Sequence, residues 1–435
     1  MIGTRTEGGK AVGEDAPAGA PLRELVRDGD RLFVGTGAGE PHTLIRTLVE
    51  DVLPYRRDVE LLQVAVGGRE GIVDYPDGRG HRLRLVAGGP RGIHALREGR
   101  ARGVPASMGT VDELIESGAL PIDGVLVAGT APAGDDAGAV GPGLSLDLGR
   151  SAAAVARFRA LELNRALPSV RSVGWLDLAD CDLVISTDLA PPELAPSPVT
   201  DAQLRIGELV ADLVVPSAAL ELGVGRGLTG VARALAARRP GLKLTVHTGM
   251  ITDDVKLLVE SGVVAGPSPD DPKAGVVATV ALGSAEFYRW LDGNPAVTFV
   301  DSSRAHRLTH LTRLGDFLAV NSASQVDLVG NVGALSWAGL LGGGGLSDFA
   351  TAGAHSLGSV IAVESRNRSG RSRLVPRAAH VQLHGSLVTH VVTEYGVAHL
   401  RGLDAPGRAE RVIAVAHPGD RAELAAAAEV LEGAG

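Results

Sequence analysis

The stretch "KLTVHTGMITDDVKLLVESG", Lys243 to Gly262, decides how this chain is read. Leu244 and Val246 make an apolar strand that breaks at His247-Thr248-Gly249. The chain restarts as a helix, with Thr252 or Asp253 as N-cap and an apolar stripe at Val255, Leu258 and Val259. Strand, turn and helix are the unit of an α/β protein, whose chemistry gathers at the C-terminal ends of strands. Yet the centre of this turn, Gly249, has no side chain to offer.

The same unit recurs along the chain. Short apolar runs alternate with helical segments: "VELLQVAV", "RLRLVAGG", "DGVLVAGT", "CDLVIST", "ALELGVG", "GVVATVALG", "AVTFVDS", "SVIAVES", "VTHVVTEYG" and "RVIAVAHP". Most are continuously apolar rather than alternating, as expected for strands buried on both faces of mainly parallel sheets. The fold class is therefore α/β. Two stretches share one plan, "LVRDGDRLFVGTGAGEPHTLIRTLVEDV" from Leu25 and "LVVPSAALELGVGRGLTGVARALAAR" from Leu213. Each has a turn, a strand, a G-x-G-x-G loop (Gly35, Gly37, Gly39; Gly223, Gly225, Gly227) and an amphipathic helix. Two tandem homologous domains follow from this repeat. The expected boundaries are a loose tail over 1–20, a first domain over 21–188, a Pro-rich linker over 189–203 and a second domain over 204–435.

Composition narrows the function class. A chain of 435 residues, 45% hydrophobic, is long enough for two packed cores. The net charge is −9, and Arg-rich patches such as Arg97–Arg102 are short and interleaved with Gly, Ser and Glu. With aromatics at 3%, the means to stack on bases are scarce, so no nucleic-acid partner is expected. Cys181 is the one cysteine, which excludes a disulfide framework and a Cys-based zinc site. No apolar leader or membrane-length run is present, so a soluble cytoplasmic protein with no membrane partner is expected. His306 and His310 stand at i, i+4 without a third ligand; both read as surface residues, and no metal is expected.

Candidate chemistry lies in the loops. The two G-x-G-x-G loops sit where helix N-terminal amides favour anions, but neither supplies the full dinucleotide fingerprint. Tight strand–helix packing and a pocket for a phosphate-bearing or acyl ligand both remain open. Gly342, Gly343, Gly344 and Gly345, followed by Leu346-Ser347-Asp348-Phe349, could present backbone N–H groups as an oxyanion hole. "VVTEYGVAHLRG", Val391–Gly402, reads as a strand, a polar turn and a helix start. Its Glu394 suits a general base, a helix N-cap acid or a structural ion pair. No G-x-S-x-G elbow occurs, which disfavours a serine hydrolase.

Together these stretches resemble the acetyl-CoA hydrolase / 4-hydroxybutyrate CoA-transferase family, a branch of the class I CoA-transferases. The resemblance runs from about Leu22 to His417. It is carried by "VGTGAGEPHTLIRTL", "LELGVGRGLTGVARAL", "VHTGMITDDVKLLVESGVV", "DFLAVNSASQVDLVGNVG", "GGGGLSDF" and above all "VVTEYGVAHLRG…AVAHP". It implies two CoA-transferase-like domains, usually in a homodimer or higher homo-oligomer, with the site between them. No bound cofactor is implied; coenzyme A enters as a thioester substrate. In the family a glutamate attacks the thioester, becoming an acyl anhydride and then a glutamyl-CoA thioester. That nucleophile lies in a turn resembling H-T-E-M-x-S/T-D, which here reads His247-Thr248-Gly249-Met250-Ile251-Thr252-Asp253. The glutamate position is Gly249. Asn321 and Gly342–Gly345 match stretches that position the thioester and its oxyanion, and Gly223 and Gly225 fall in the expected CoA-binding loop. The run resembling the family's S-P-x-D-x-x-G is altered to "GTAPAGDDAGAVGPG" (Gly129–Gly143).

Glycine cannot form an anhydride. The expected activity is therefore direct transfer of an acyl group from acyl-CoA, or from a phosphopantetheinyl acyl carrier protein, to water or a small acceptor. His247, Asp253 or Glu394 would take the proton. Covalent CoA transfer through a relocated carboxylate, and acyl-CoA binding without catalysis, are the alternatives.

Overall fold

A computed structural model describes residues 10–11, 18–65, 79–131, 138–172, 174–196, 198–238, 241–268, 271, 273–333 and 344–433. The chain divides into two compact units. The first comprises residues 1–195, 278–305 and 340–344, and the second residues 196–277, 306–339 and 345–435.

In the first unit eight strands run in the order Lys10–Ala11, Leu183–Thr187, Phe158–Asn164, Gly124–Gly129, Arg31–Val34, Glu60–Ala65, Arg82–Gly88 and Ala101–Gly103. Every pairing is parallel. The central strand Gly124–Gly129 is buried throughout, which explains its unbroken apolar sequence. Leu22, Leu44, Leu48, Leu61, Leu85 and Phe158 are among the residues of its main core. Val297–Phe299 also pairs in parallel with Arg171–Ser172.

The second unit repeats the arrangement. Its strands run Gly396–His399, His390–Thr393, Gly358–Ala362, Phe317–Asn321, Ala219–Leu222, Thr245–His247 and Val276–Ala278. Taken from the strand after each domain's first long turn, the two orders coincide: Arg31–Val34 and Ala219–Leu222 each stand between the next strand in sequence and a later one. Two copies of one α/β plan thus underlie the chain. Helices Asp201–Ala211 and Arg226–Arg238 pack so closely that a Cβ at Gly207 would sit 2.1 Å from the Gly230 carbonyl oxygen. Only glycine allows that crossing. Thr200 opens the first of these helices with a full capping box through Gln203.

Two local readings of the sequence are corrected. "RVIAVAHP" is not a strand; Arg411 to Ala414 end the helix Ala405–Ala414. Asp404 caps that helix on Gly407 N, and Ala409 and Val412 are its buried face. A short apolar run carries no period by which helix and strand can be told apart. "VVTEYGVAHLRG" does not lead into a helix either. His390–Thr393 and Gly396–His399 form an antiparallel hairpin, pairing His390 with His399 and Thr393 with Gly396. Gly396, at φ +148°, supplies backbone geometry closed to other residues, and Thr393 Oγ1 donates to Val415 O at 2.6 Å.

Candidate functional site

In the second unit three adjacent parallel strands end side by side: Phe317–Asn321, Ala219–Leu222 and Thr245–His247. This is the strand edge where α/β folds collect chemistry, and it gathers several residues singled out from sequence. Asn321 closes the first strand and donates from Nδ2 to Glu221 Oε2 at 2.8 Å. Its Oδ1 would lie 2.6 Å from a Cβ at Gly223, and Ser322 Oγ 2.9 Å from one at Gly225, whose φ is +149°. Gly223 and Gly225 are thus favoured by close packing against Asn321 and Ser322.

Glu221 is the residue sequence reasoning missed. It is buried beneath the loop, and burial pushes its carboxyl up to about 8, overcoming the hydrogen bonds from Asn321 and the Val320 backbone that favour the anion. At neutral pH it is a carboxylic acid, able to donate as well as accept. The available signal was a lone acid within "ALELGVG", a run otherwise reading as buried on both faces.

The turn after Thr245–His247 is tied down on both sides. Thr248 donates its N–H to Val277 O at 3.0 Å and its hydroxyl to Leu222 O at 3.2 Å. His247 is buried at the strand end. The helix Asp253–Glu260 begins as read, with Thr252 as the cap accepting from Asp254 N at 3.3 Å, and Asp253 is its first residue. Val255 and Leu258 are its buried stripe, while Val259 is half-buried.

Gly249 is covered by an imidazole. A Cβ placed there would lie 3.1 Å from His306 Cε1, 3.3 Å from His306 Nε2 and 3.7 Å from Phe349 Cε2. Gly345 lies against the same ring, its Cβ position 2.6 Å from His306 Cε1 and 2.8 Å from Nδ1. His306 therefore sits between the two glycines with its ring 4.8 Å from that of Phe349, and its Nδ1 is 3.5 Å from Asp348 Oδ2. This corrects the expectation of a surface histidine: His306 is 3% exposed. The i, i+4 spacing with His310 suggested an exposed helix face, but helix Ser302–His306 ends at His306 and His310 lies on the separate helix Leu308–Leu311.

The remaining candidates are placed elsewhere. Glu394 sits in the hairpin turn and accepts from Ser365 N at 2.9 Å and Ser365 Oγ at 2.5 Å, a structural tie. Gly342 and Gly343 fall outside the described residues. Gly344 has φ +64° and its carbonyl accepts from Met108 N at 3.3 Å. Gly345 caps the helix Leu346–Ala354, with its carbonyl accepting from Phe349 N at 3.0 Å. Residues 132–137 of the altered loop over 129–143 also lie outside the described residues. In the first unit, the helix His42–Thr47 after the Gly35–Gly39 loop gives its Thr43 and Leu44 amides to the buried Glu162, at 2.8 and 3.0 Å. The acceptor at that helix terminus is the protein's own carboxyl group, and burial raises its pKa above the ordinary value. Burial pushes the Cys181 thiol up to about 12, so it is no thiolate nucleophile near neutrality. Among the described residues no cluster of three or more His, Cys, Asp or Glu is placed to hold a metal, and no helix is long and apolar enough to cross a membrane.

The repeated parallel sheets give the chain a CoA-transferase-like α/β fold. The structure superposes on RipA from Yersinia pestis with TM-score 0.86 at 23% identity, covering 96% of this chain and 97% of that one. It superposes on a 4-hydroxybutyrate CoA-transferase from Porphyromonas gingivalis with TM-score 0.76 at 23% identity, over 94% and 96% of the two chains. Residues 283–428 match the family described as acetyl-CoA hydrolase/transferase C-terminal domain. Sequence relatives include a succinyl-CoA:acetate/propanoyl-CoA:succinate CoA transferase of Fasciola hepatica, 29% identical over 93% of this chain and 85% of the relative. A 4-hydroxybutyrate coenzyme A transferase of Clostridium kluyveri is 29% identical over 92% and 94%. Over its C-terminal third the chain thus matches the acetyl-CoA hydrolase/transferase family model, and over most of its length it is similar to CoA-transferases.

Proposed function

We propose that this protein acts on an acyl thioester, passing the acyl group directly to water or a small acceptor without an enzyme-bound glutamyl-CoA. The relatives' names supply the substrate class, an acyl-CoA; the arm of an acyl carrier protein presents the same thioester. The observation that carries the reading is at Gly249. The position that resembles the family's nucleophile bears no side chain, and an imidazole covers the place where one would begin. A carboxylate that must form an anhydride has to approach the carbonyl to about 3–3.5 Å, and Glu394 is held by Ser365 instead. The backbone amide at Gly345, which caps the helix Leu346–Ala354, would receive the developing oxyanion, and one such donor contributes about 2.7–4 kcal/mol.

The two chemistries differ in their thiol balance. Transfer of CoA between carboxylates releases no net thiol and makes a new acyl-CoA; direct acyl transfer releases one CoA thiol per turnover. The test incubates the protein with acetyl-CoA, butyryl-CoA and 4-hydroxybutyryl-CoA, with and without acetate, following free thiol and the mass of the CoA products. Free thiol at a rate independent of acetate is expected. A new acyl-CoA formed with no net thiol would refute the reading in favour of a relocated carboxylate. Tight binding of acyl-CoA with neither product would refute it in favour of a binding protein.

A further inference from the structure

We infer that His306, oriented by Asp348, is the general base that delivers the attacking nucleophile to the thioester; this rests on the direct-transfer reading above. Three observations converge. The imidazole edge carrying Nε2 and Cε1 is turned to Gly249, 3.3 and 3.1 Å from where a Cβ would stand, so its Nε2 occupies the approach that a glutamate there would use. The opposite nitrogen, Nδ1, makes no hydrogen bond and faces the Asp348 carboxylate at 3.5 Å. The ring rests on Gly345, at the end of the glycine run, and against Phe349, so two small residues and one aromatic fix its plane. An acid behind one imidazole nitrogen, with the other turned to Gly249, is the arrangement by which a carboxylate orients an imidazole acting as base. The 3.5 Å separation is longer than the roughly 2.7–2.9 Å of a formed charge-assisted bond, and catalytic hydrogen bonds commonly tighten only when substrate binds.

The step balances without any other reactant. A water O–H proton passes to His306 Nε2 as the water oxygen bonds to the thioester carbonyl carbon, and the carbonyl electrons move to its oxygen. The tetrahedral adduct then re-forms its C=O and breaks the C–S bond. The departing thiolate takes the proton from the imidazolium, leaving a carboxylic acid and CoA thiol. Asp348 touches no reacting atom and is a positioning residue. An alcohol or amine in place of water gives an ester or an amide by the same transfer.

The experiment measures thiol release from acetyl-CoA and butyryl-CoA by the full-length protein and by His306→Gln, His306→Gly and Asp348→Asn, with thermal unfolding to check that each folds. His306→Gln is expected to lower kcat by about 10²–10⁴-fold with KM unmoved. His306→Gly is expected to recover at least tenfold on adding imidazole, which a purely structural loss would not do. Asp348→Asn is expected to lower kcat by a smaller factor at constant KM. Wild-type release combined with a His306→Gln rate within threefold of wild type, or with no imidazole recovery in a folded His306→Gly, would overturn the assignment while leaving direct transfer standing. CoA exchange by the wild type with no net thiol would overturn both.

Discussion

Replacing Glu221 by glutamine isolates the buried acid beneath the Gly223 loop. The carboxyl is raised by burial from 4.5 to about 8. The folded protein therefore holds a proton that the unfolded chain releases above pH 4.5, and stability is lost as pH rises from 4.5 through 8. Each unit corresponds to about 1.4 kcal/mol. Between pH 5.5 and pH 9 the wild type thus loses about 3 kcal/mol through this one group. Glutamine keeps the shape and the oxygen that accepts from Asn321 Nδ2, but it does not titrate. The stability difference between Glu221→Gln and wild type should shift toward the variant by about 3 kcal/mol over that range. For a unit of this size that corresponds to about 6–12 °C in thermal midpoint. The assay is calorimetric unfolding of both proteins at intervals from pH 5.5 to 9. Midpoints that fall in parallel, with a constant offset, would refute a neutral buried Glu221.

Gly249→Glu tests the packing on which the functional reading rests. No positive φ bars a side chain at Gly249, but its Cβ would press on His306 at 3.1 Å, so the substitution alone should destabilise by about 1–3 kcal/mol and give little CoA exchange. Adding His306→Ala should relieve that strain, and the pair should depart from additivity by more than about 0.5 kcal/mol; strictly additive melting data would show that the two sites do not touch. Arg408 is a structural counterpart. Its guanidinium donates to Val329 O at 2.8 Å, Leu400 O at 3.3 Å, Val388 O at 3.0 Å and Gly385 O, closing the hairpin region with four carbonyls. Arg408→Ala should cost about 3–5 kcal/mol, because buried carbonyls lose their donor; a loss below about 1 kcal/mol in denaturant titration would contradict that role.

Much of this protein was legible as one-dimensional pattern. Unbroken apolar runs such as "DGVLVAGT" and "SVIAVES" became strands buried on both faces, since a parallel sheet covered by helices exposes neither face to water. The Thr252 cap and the Val255/Leu258 stripe were local features read from local chemistry. So was the repeat, because two copies of a strand–loop–helix carry the same glycine spacing. Patterning failed where a segment's state is settled by what packs on it. "RVIAVAHP" became helix, and the segment around Glu394 became a hairpin whose turn is pinned by Ser365.

The candidate site divides along the same line. Sequence by itself determined the scaffold, and it put a glycine, Gly249, in the turn after the strand Thr245–His247, because residue identity at a position is what a sequence states directly. It did not determine what stands in that place. His306 comes to Gly249 from a distant segment, and Asp348 reaches His306 from the helix after the glycine run. Glu221 acquires its raised titration only when strands from three parts of the chain bury it beside Asn321. Proximity between residues far apart in the chain, and the removal of water from a charged group, are products of tertiary packing. No residue's own chemistry announces them.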